Sequence, residues 1–244
     1  MPELHLERDR AESFGSVALS YERYRPDLPA ALLDDLATTG DALDIATGTG
    51  KLARGLMARG MRVLGVELDA RMAEVAAASG VAVEVARFED WDDAGRRFDL
   101  LACGDAWHWI DPVRGLEVVR RVLRPGGVFA RSWNVQLLDD AVMARLDVAY
   151  RAHAPSLHPQ GRLPPGAPAA PPAIGVEETR SYPWQRVVTA DAWAGFCNTT
   201  SDHQRLPAER RAALLAAIRD ALGGPVTVYG EAKVWIARFL HEPR

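Results

Sequence analysis

Residues 41–69, DALDIATGTGKLARGLMARGMRVLGVELD, decide the fold of this chain. An apolar run of strand type leads into a glycine-containing turn, then into apolar residues at helical spacing, then into a second strand-type run that ends at Glu67. The predicted elements are a strand at 41–46, a turn at 47–50, a helix at 51–59 and a strand at 61–66. This order is half of a nucleotide-binding βαβ unit.

Each part of this unit has a physical task. Gly48 and Gly50 have no Cβ, so the turn can adopt positive φ and a ligand can approach the backbone closely. The start of the following helix offers unpaired N–H groups to an anionic ligand group. Glu67, at the carboxyl end of the second strand, can accept both hydroxyls of a ribose. Asp44 lies before the turn, where a carboxylate would face the crevice.

The turn is compatible with more than one ligand. Gly48-x-Gly50-x-x-Ala53 fits a loose dinucleotide fingerprint, and an ordinary tight turn between strand and helix is the alternative without a ligand. The stretch also resembles motif I of the S-adenosylmethionine-dependent methyltransferases, written acidic-x-Gly-x-Gly-x-Gly. Here it runs Asp44-x-Ala46-x-Gly48-x-Gly50, with alanine in the first glycine position. Motifs elsewhere in the chain are therefore needed to distinguish between these ligands.

Composition narrows the class of protein. A chain of 244 residues, 48% of them apolar, suits a single α/β domain, 1–244. The formal net charge of −4 predicts no general affinity for nucleic acid. Cys103 and Cys197 make neither a disulfide framework nor a metal site, and Cys103 is expected to be buried. No signal peptide or long apolar span is visible, so we expect a soluble, cytoplasmic protein without a membrane partner.

Five strand-type runs alternate with helical patterns up to residue 133, which predicts a parallel sheet. We expect an α/β fold with a doubly wound, mostly parallel seven-strand sheet, Rossmann-like, whose last strand is antiparallel. A pair of strands within 226–240 would form this antiparallel edge. The expected subdivisions are an N-terminal helical cap at 1–36, a cofactor-binding core at 37–135, a helix and Pro-rich insertion (mobile at 155–175) at 136–178, and C-terminal helices with the strand pair at 179–244.

Several further motifs carry a resemblance to a known family. Phe98-Asp99-Leu100-Leu101, Gly65-Val66-Glu67-Leu68-Asp69 and Arg121-Val122-Leu123-Arg124-Pro125-Gly126-Gly127 resemble motifs of the class I, seven-strand, Rossmann-like S-adenosylmethionine-dependent methyltransferases. The segments Phe14…Tyr21…Arg25-Pro26, Ala106-Trp107-His108-Trp109 and Trp133-Asn134 resemble the trans-aconitate-type small-molecule subgroup. The resemblance covers about residues 14–240, and Ala46 is its main departure.

The resemblance implies S-adenosyl-L-methionine as methyl donor, S-adenosyl-L-homocysteine as product, and a set of donor-binding residues. The implied donor residues are Tyr21 and Arg25 near its charged end, Asp44, Ala46, Thr47, Gly48 and Gly50 at its methionine end, Glu67 at the ribose, Leu68, Phe88 and Glu89 at adenine, and Gly104 where the donor approaches the fourth strand. Asp105 either binds the donor's ammonium or caps a turn. Tyr21 belongs either to a lid over the donor or to a cap helix packed on the domain.

Methyl transfer from a sulfonium is an in-line displacement, so the protein mainly aligns the reactants and excludes water. His108 is the candidate general base or acceptor-orienting group, with a structural histidine as the alternative. Trp107, Trp109 and Trp133 form either an aromatic acceptor pocket or part of the core. No metal is expected.

The sequence thus predicts a methyltransferase that acts on an O, N or C atom of a small-molecule acceptor, as a monomer or homodimer. A protein that binds S-adenosylmethionine without transferring methyl, as a regulator or as a catalyst of a rearrangement, is the first alternative. An NAD-dependent oxidoreductase is the second, since Glu67 and the glycines also fit that cofactor. The acceptor itself is left open.

Overall fold

A seven-stranded sheet is the centre of the computed structural model, which describes residues 4–7, 12–161 and 177–238. Its spatial order is β3-β2-β1-β4-β5-β7-β6. The strands are β1 Asp41–Ile45, β2 Arg62–Glu67, β3 Ala82–Val85, β4 Phe98–Gly104, β5 Leu123–Leu137, β6 Glu177–Val188 and β7 Val226–Arg238. The predicted α/β, mostly parallel seven-strand fold with an antiparallel last strand is confirmed.

Helices connect the strands and cover the sheet. They are α1 Ala18–Tyr24, α2 Ala30–Leu36, α3 Lys51–Met57, α4 Ala70–Ala78, α5 Pro112–Val122, α6 Asp140–His153, α7 Ala190–Asn198, α8 Ser201–Gln204 and α9 Ala208–Leu222. Short 3₁₀ segments at Leu4–Leu6, Glu12–Val17, Phe88–Asp90 and Trp107–Trp109 lie before α1 and in the loops that follow β3 and β4. Among the described residues, no helix combines the length and apolar character needed to span a membrane.

The order of the strands creates the crevice. β1 pairs in parallel with β2 on one side and with β4 on the other. The chain moves outward from β1 to β3 and then returns to the far side of β1, so the direction of winding reverses between β1 and β4. In open α/β sheets ligands bind at such a switch point, outside the carboxyl ends of the strands. The turn after β1 and the loop after β4 therefore border one site.

The antiparallel strand differs from its expected place. The stretch predicted to hold a pair of strands, 226–240, forms the single strand β7 over its described residues. β7 pairs antiparallel with both β5 and β6, so it lies inside the sheet, and β6 forms the edge. Helices α7 to α9 carry the chain from β6 back to β7. Pro183, which cannot donate a ladder hydrogen bond, is tolerated in this edge strand.

The core occupies both faces of the sheet. In β1, Ala42 packs into the cluster under α2 and α3, whereas Leu43 and Ile45 pack into the cluster on the opposite face, and all three are fully buried. This explains the apolar character of the run, since strands of a parallel sheet are covered on both sides. Cys103 and Cys197 are also buried, as expected for Cys103.

The N-terminal elements lie across the crevice. Glu22 of α1 accepts a hydrogen bond at 2.6 Å from Arg54 of α3, and Gly15 contacts the carboxylate of Asp69 so closely that a Cβ there would lie 2.1 Å from Oδ2. Of the predicted mobile segment 155–175, residues 162–175 fall outside the described residues.

Candidate active site

The turn between β1 and α3 adopts the conformation that its glycines predict. Gly48 has φ 59° and Gly50 has φ 84°. Gly50 is also tightly enclosed, because a Cβ there would lie 3.0 Å from Cγ2 of Val81. Ala46 shares the left-handed region, with φ 53°. Alanine is strained in this conformation. The turn nevertheless follows the backbone path of a glycine-rich motif, although alanine occupies the first glycine position.

Asp44 is the buried carboxylate of this turn. It accepts hydrogen bonds on Oδ2 from the Thr47 hydroxyl, at 2.5 Å, and from the Ala53 N–H, at 3.1 Å. Burial raises the pKa of its carboxyl to about 7, although these two hydrogen bonds oppose the rise. The neighbouring Thr49 hydroxyl is buried and has no hydrogen-bond partner within the described parts of the chain. Two polar groups are thus held in the turn for a ligand.

Glu67 ties the turn to the end of β2. One carboxylate oxygen accepts the Gly48 N–H at 2.7 Å, and the other accepts the Asp69 N–H at 2.9 Å. Burial raises the pKa of this carboxyl. Each carboxylate oxygen retains capacity for another donor, so Glu67 is held where a diol can bind to it.

A cavity extends from the turn toward the loop after β3. Among the residues that line it are Ala46, Gly48, Glu67, Leu68, Phe88, Glu89 and Gly104, which the resemblance assigns to the donor, and Asp105, expected either at the donor's ammonium or as a turn cap. Phe88 is buried at its base. Glu89 is already engaged, since it accepts the Asp111 N–H at 2.8 Å and pairs with Arg87 at 3.3 Å.

A second cavity lies beside the turn and contains Asp44, Thr47 and Arg25 in its lining. Arg25 donates from Nε to the Thr199 hydroxyl at 2.9 Å and from Nη2 to the Thr199 carbonyl at 3.1 Å. Its guanidinium also lies 4.9 Å from the centre of the Tyr21 ring and 5.1 Å from that of Phe196. The cation is therefore fixed in place between two rings.

A third cavity contains His108, Trp109 and Trp133 in its lining. The His108 ring centre lies 4.9 Å from that of Trp109 and 5.0 Å from that of Trp133. Trp107 differs: it is buried in the core, 4.9 Å from the ring of Phe129, and does not line this cavity. Trp107 and Trp109 lie at the two ends of a 3₁₀ turn, which explains why one ring enters the core and the other the cavity.

Tyr21 and Asp105 line all three cavities. Asp105 has φ 54°, and two hydrogen bonds hold it to β5: its N–H donates to the Ser132 carbonyl at 2.9 Å, and its Oδ1 accepts the Asn134 N–H at 2.6 Å. Desolvation raises the pKa of its carboxyl to about 6. The two residues mark the point at which the cavities meet.

Several lining residues were not assigned to the site from sequence. Phe14 lines the first and third cavities, Asn134 and Gln136 line the second and third, and Phe196 and Thr200 line the third. Phe14 and Asn134 could have been assigned to the site from sequence, because both belong to the segments that resemble the small-molecule subgroup. The others could not: they reach the site only through the length of β5 and the docking of α7 and α8. No cluster of potential metal ligands occurs in 4–7, 12–161 or 177–238.

Comparison with known proteins shows that the chain is similar to methyltransferases. A family model described as a methyltransferase domain matches residues 43–130. An uncharacterized methyltransferase of Mycobacterium tuberculosis is 38% identical over 139 residues, which is 53% of this chain and 55% of the relative. The aligned part thus spans about half the length of this relative. An uncharacterized methyltransferase-like protein of Schizosaccharomyces pombe is 24% identical over 224 residues, 82% of each chain.

Solved structures agree with these matches. A protein of Anaeromyxobacter dehalogenans, provisionally named a type II methyltransferase, superposes with a TM-score of 0.68 at 28% identity, over 90% of this chain and 100% of the other. A phosphoethanolamine N-methyltransferase of Haemonchus contortus, solved with S-adenosylhomocysteine, superposes with a TM-score of 0.52 at 14% identity, over 93% of this chain and 58% of the other, and shows the shared fold. The strand order, the turn after β1 and these matches together show a methyltransferase domain over residues 43–130, in a chain with the class I, Rossmann-like methyltransferase fold.

Proposed function

We propose that this protein transfers a methyl group from S-adenosylmethionine to a small-molecule acceptor. One observation carries the proposal: the two cavities beside the turn after β1 and a third cavity share Tyr21 and Asp105 in their lining, so all three lie against the same two side chains. Methyl transfer requires such an arrangement, because donor and acceptor must meet in line at a single point.

The residues around the turn fit the donor. The first cavity would take the adenosine part, with Glu67 at the ribose hydroxyls and Phe88 beneath the base. The second would take the amino-acid end, where Asp44 suits its ammonium and the cation of Arg25 suits its carboxylate. The unpartnered hydroxyl of Thr49 supplies a further polar contact there. When bound, the donor supplies an electrophilic methyl group on a positively charged sulfur.

The chain itself contributes enclosure and alignment. The third cavity would take the acceptor and is called the acceptor cavity below. The rings of Tyr21, Phe14 and Trp109 line both this cavity and the first cavity, and they exclude water from the point of transfer. The cap segment that bears Phe14 and Tyr21 is held over the crevice by the ion pair of Glu22 with Arg54. No protein nucleophile is required for this chemistry, and His108 lies in the acceptor cavity where it can orient or deprotonate an acceptor.

Calorimetric titration with S-adenosylmethionine, S-adenosylhomocysteine and NAD tests donor binding. We expect heat with the first two compounds and none with NAD, and we expect Glu67→Gln to weaken binding. Asp191→Asn is the matched control, because Asp191 is exposed on α7 and pairs with Arg219 outside the crevice. Incubation with methyl-labelled donor and a library of small acceptors then tests transfer. Tight donor binding with no formation of S-adenosylhomocysteine would instead favour a protein that binds the donor without methyl transfer.

A further inference from the structure

The acceptor cavity has a continuous aromatic wall. Successive ring centres are 6.1 Å apart for Tyr21 and Phe14, 6.0 Å for Phe14 and Trp109, 4.9 Å for Trp109 and His108, and 5.0 Å for His108 and Trp133. All five residues line the cavity. A wall of this kind offers a large face for stacking, and the polar side chains in the rest of the lining can orient a bound group, so the cavity suits a planar molecule with a polar substituent.

Asp105 lines all three cavities and interacts electrostatically with Tyr21, the first ring of this wall. Its left-handed backbone conformation is fixed by the Ser132 carbonyl, and its Oδ1 is occupied by the Asn134 N–H. The described chain places no hydrogen-bond donor on Oδ2. A strained and pinned residue that keeps one carboxylate oxygen available is typical of a functional position.

We propose that the methyl acceptor is a phenol-type aromatic alcohol whose ring lies against the aromatic wall and whose hydroxyl donates its hydrogen bond to Asp105 Oδ2. This inference rests on the proposed methyl transfer and deepens it, because it gives the acceptor a chemical class and gives Asp105 a catalytic role. Nothing in the sequence pointed to this role, since Asp105 was assigned there either to the donor's ammonium or to a turn.

Methyl transfer to a phenol needs only the donor, the acceptor and Asp105 as the group that takes the proton. The phenolic oxygen attacks the methyl carbon, an O–CH₃ bond forms, and the C–S bond breaks with its electron pair left on sulfur as a neutral thioether. The phenolic proton moves to Asp105 Oδ2 and later leaves to solvent. Because desolvation brings the pKa of Asp105 to about 6, its carboxylate is present at neutral pH and is a better base than an ordinary aspartate.

Charge in the site favours a hydroxyl over an amine. Arg25 lines the acceptor cavity, where Thr199 and the rings of Tyr21 and Phe196 hold it, and its charge acts on Asp105. The sulfonium of the donor would add a second positive charge. Both charges stabilise a phenolate as it forms and repel a protonated amine. A carboxylate acceptor would need no base and would be repelled by Asp105.

The first experiment separates Asp105 from donor binding. Calorimetric titration with S-adenosylhomocysteine, which retains the amino-acid ammonium, should give Asp105→Asn an affinity within about threefold of the wild type. Asparagine tolerates the left-handed conformation and can still accept the Asn134 N–H, so the variant should fold normally. Asp191→Asn again serves as the matched charge control. A loss of about thirtyfold or more in Asp105→Asn would mean that this residue binds the donor's ammonium, which would overturn the inference.

The second experiment titrates the protein, loaded with S-adenosylhomocysteine, with para-nitrophenol, benzylamine and benzoate. We expect para-nitrophenol to bind more tightly than the other two, and Asp105→Asn to weaken it about tenfold, as for loss of a hydrogen bond to a charged group. With S-adenosylmethionine, slow formation of para-nitroanisole should fall in the same variant. Preferential binding of benzylamine or benzoate, or no binding of para-nitrophenol, would overturn the inference. The proposed function fails separately, if the wild type gives no heat with S-adenosylhomocysteine.

Discussion

Replacement of Asp44 by asparagine should stabilise the folded protein at alkaline pH while weakening donor binding. In the folded state burial raises the pKa of this carboxyl from 3.8 to about 7. The folded protein therefore holds the proton more tightly than the unfolded chain does. Stability from this group is present below about pH 4, declines as the pH rises to about 7, and stays lost above that value.

The magnitude follows from the same two values. The interval between 3.8 and about 7 corresponds to about 4 kcal/mol of unfolding free energy, at about 1.4 kcal/mol for each pH unit. Asparagine carries no charge, and its amide oxygen can still accept from Thr47 and Ala53, the two partners of Asp44 Oδ2. Its new N–H₂ group must find a partner in the second cavity, which offsets part of the gain. We expect Asp44→Asn to be about 1 to 3 kcal/mol more stable than the wild type at about pH 8.

Urea denaturation followed by tryptophan fluorescence at about pH 5 and about pH 8 measures this difference. The stability advantage of Asp44→Asn over the wild type should grow with pH, and S-adenosylhomocysteine should bind the variant at least about tenfold more weakly, since one partner of a charged pair is lost. Asp191→Asn, altered at an exposed carboxylate, should show no such growth. A stability difference between Asp44→Asn and the wild type that is the same at both pH values would refute the argument.

Four further variants test other parts of the structure. Ala46→Gly should raise the unfolding free energy by up to about 1 kcal/mol in urea denaturation, because it relieves the positive φ of 53°; a loss would show that the turn is unstrained. Gly15→Ala should weaken S-adenosylhomocysteine binding several-fold by calorimetry, since its Cβ would meet the Asp69 carboxylate and lift the cap segment; Gly224→Ala, with open space around its Cβ, is the control. Burial lowers the pKa of His203 to about 4, so the unfolded chain takes up the proton first as the pH falls. The wild type should therefore lose about 3 kcal/mol of unfolding free energy between about pH 6.5 and about pH 4. His203→Gln should abolish this loss in urea denaturation, and an unchanged acid sensitivity would argue against the reasoning. His108→Ala should lower turnover with donor affinity nearly unchanged, and equal turnover would remove His108 from the chemistry.

The geometry of the turn after β1 could be predicted from sequence because it is local. The strand run, the turn glycines and Glu67 are close together in the chain, and Gly48 N–H meets the Glu67 carboxylate only 19 positions away. One feature of the turn was hidden even here. Alanine carries no propensity for positive φ, so only its place in the motif indicates that Ala46 follows the path of a glycine.

The third cavity, proposed to take the acceptor, could not be predicted in the same way, because it is assembled from distant parts of the chain. Arg25 is fixed by Thr199, which is 174 positions away, and Phe196 stacks on the same guanidinium. No periodicity links these residues. Likewise, Trp107 and Trp109 are indistinguishable by composition, and the 3₁₀ turn between them decides which one lies in the core.

The crevice combines three carboxyl groups, Asp44, Glu67 and Asp105, whose pKa values are all raised by desolvation. Each is costly to ionise in the folded protein, and each accepts a backbone N–H, from α3 for Asp44, from the turn after β1 for Glu67 and from β5 for Asp105. In contrast, Asp41 at the opposite end of β1 pairs with Arg124 at 2.8 Å, and this contact lowers its pKa. Had the sequence been selected only for stability, an arginine beside the crevice carboxylates would serve as well as it does at Asp41. Among the described residues, no cation lowers the pKa of Asp44 or Glu67, where the proposed cationic donor would bind, so folding bears a cost that ligand binding would relieve.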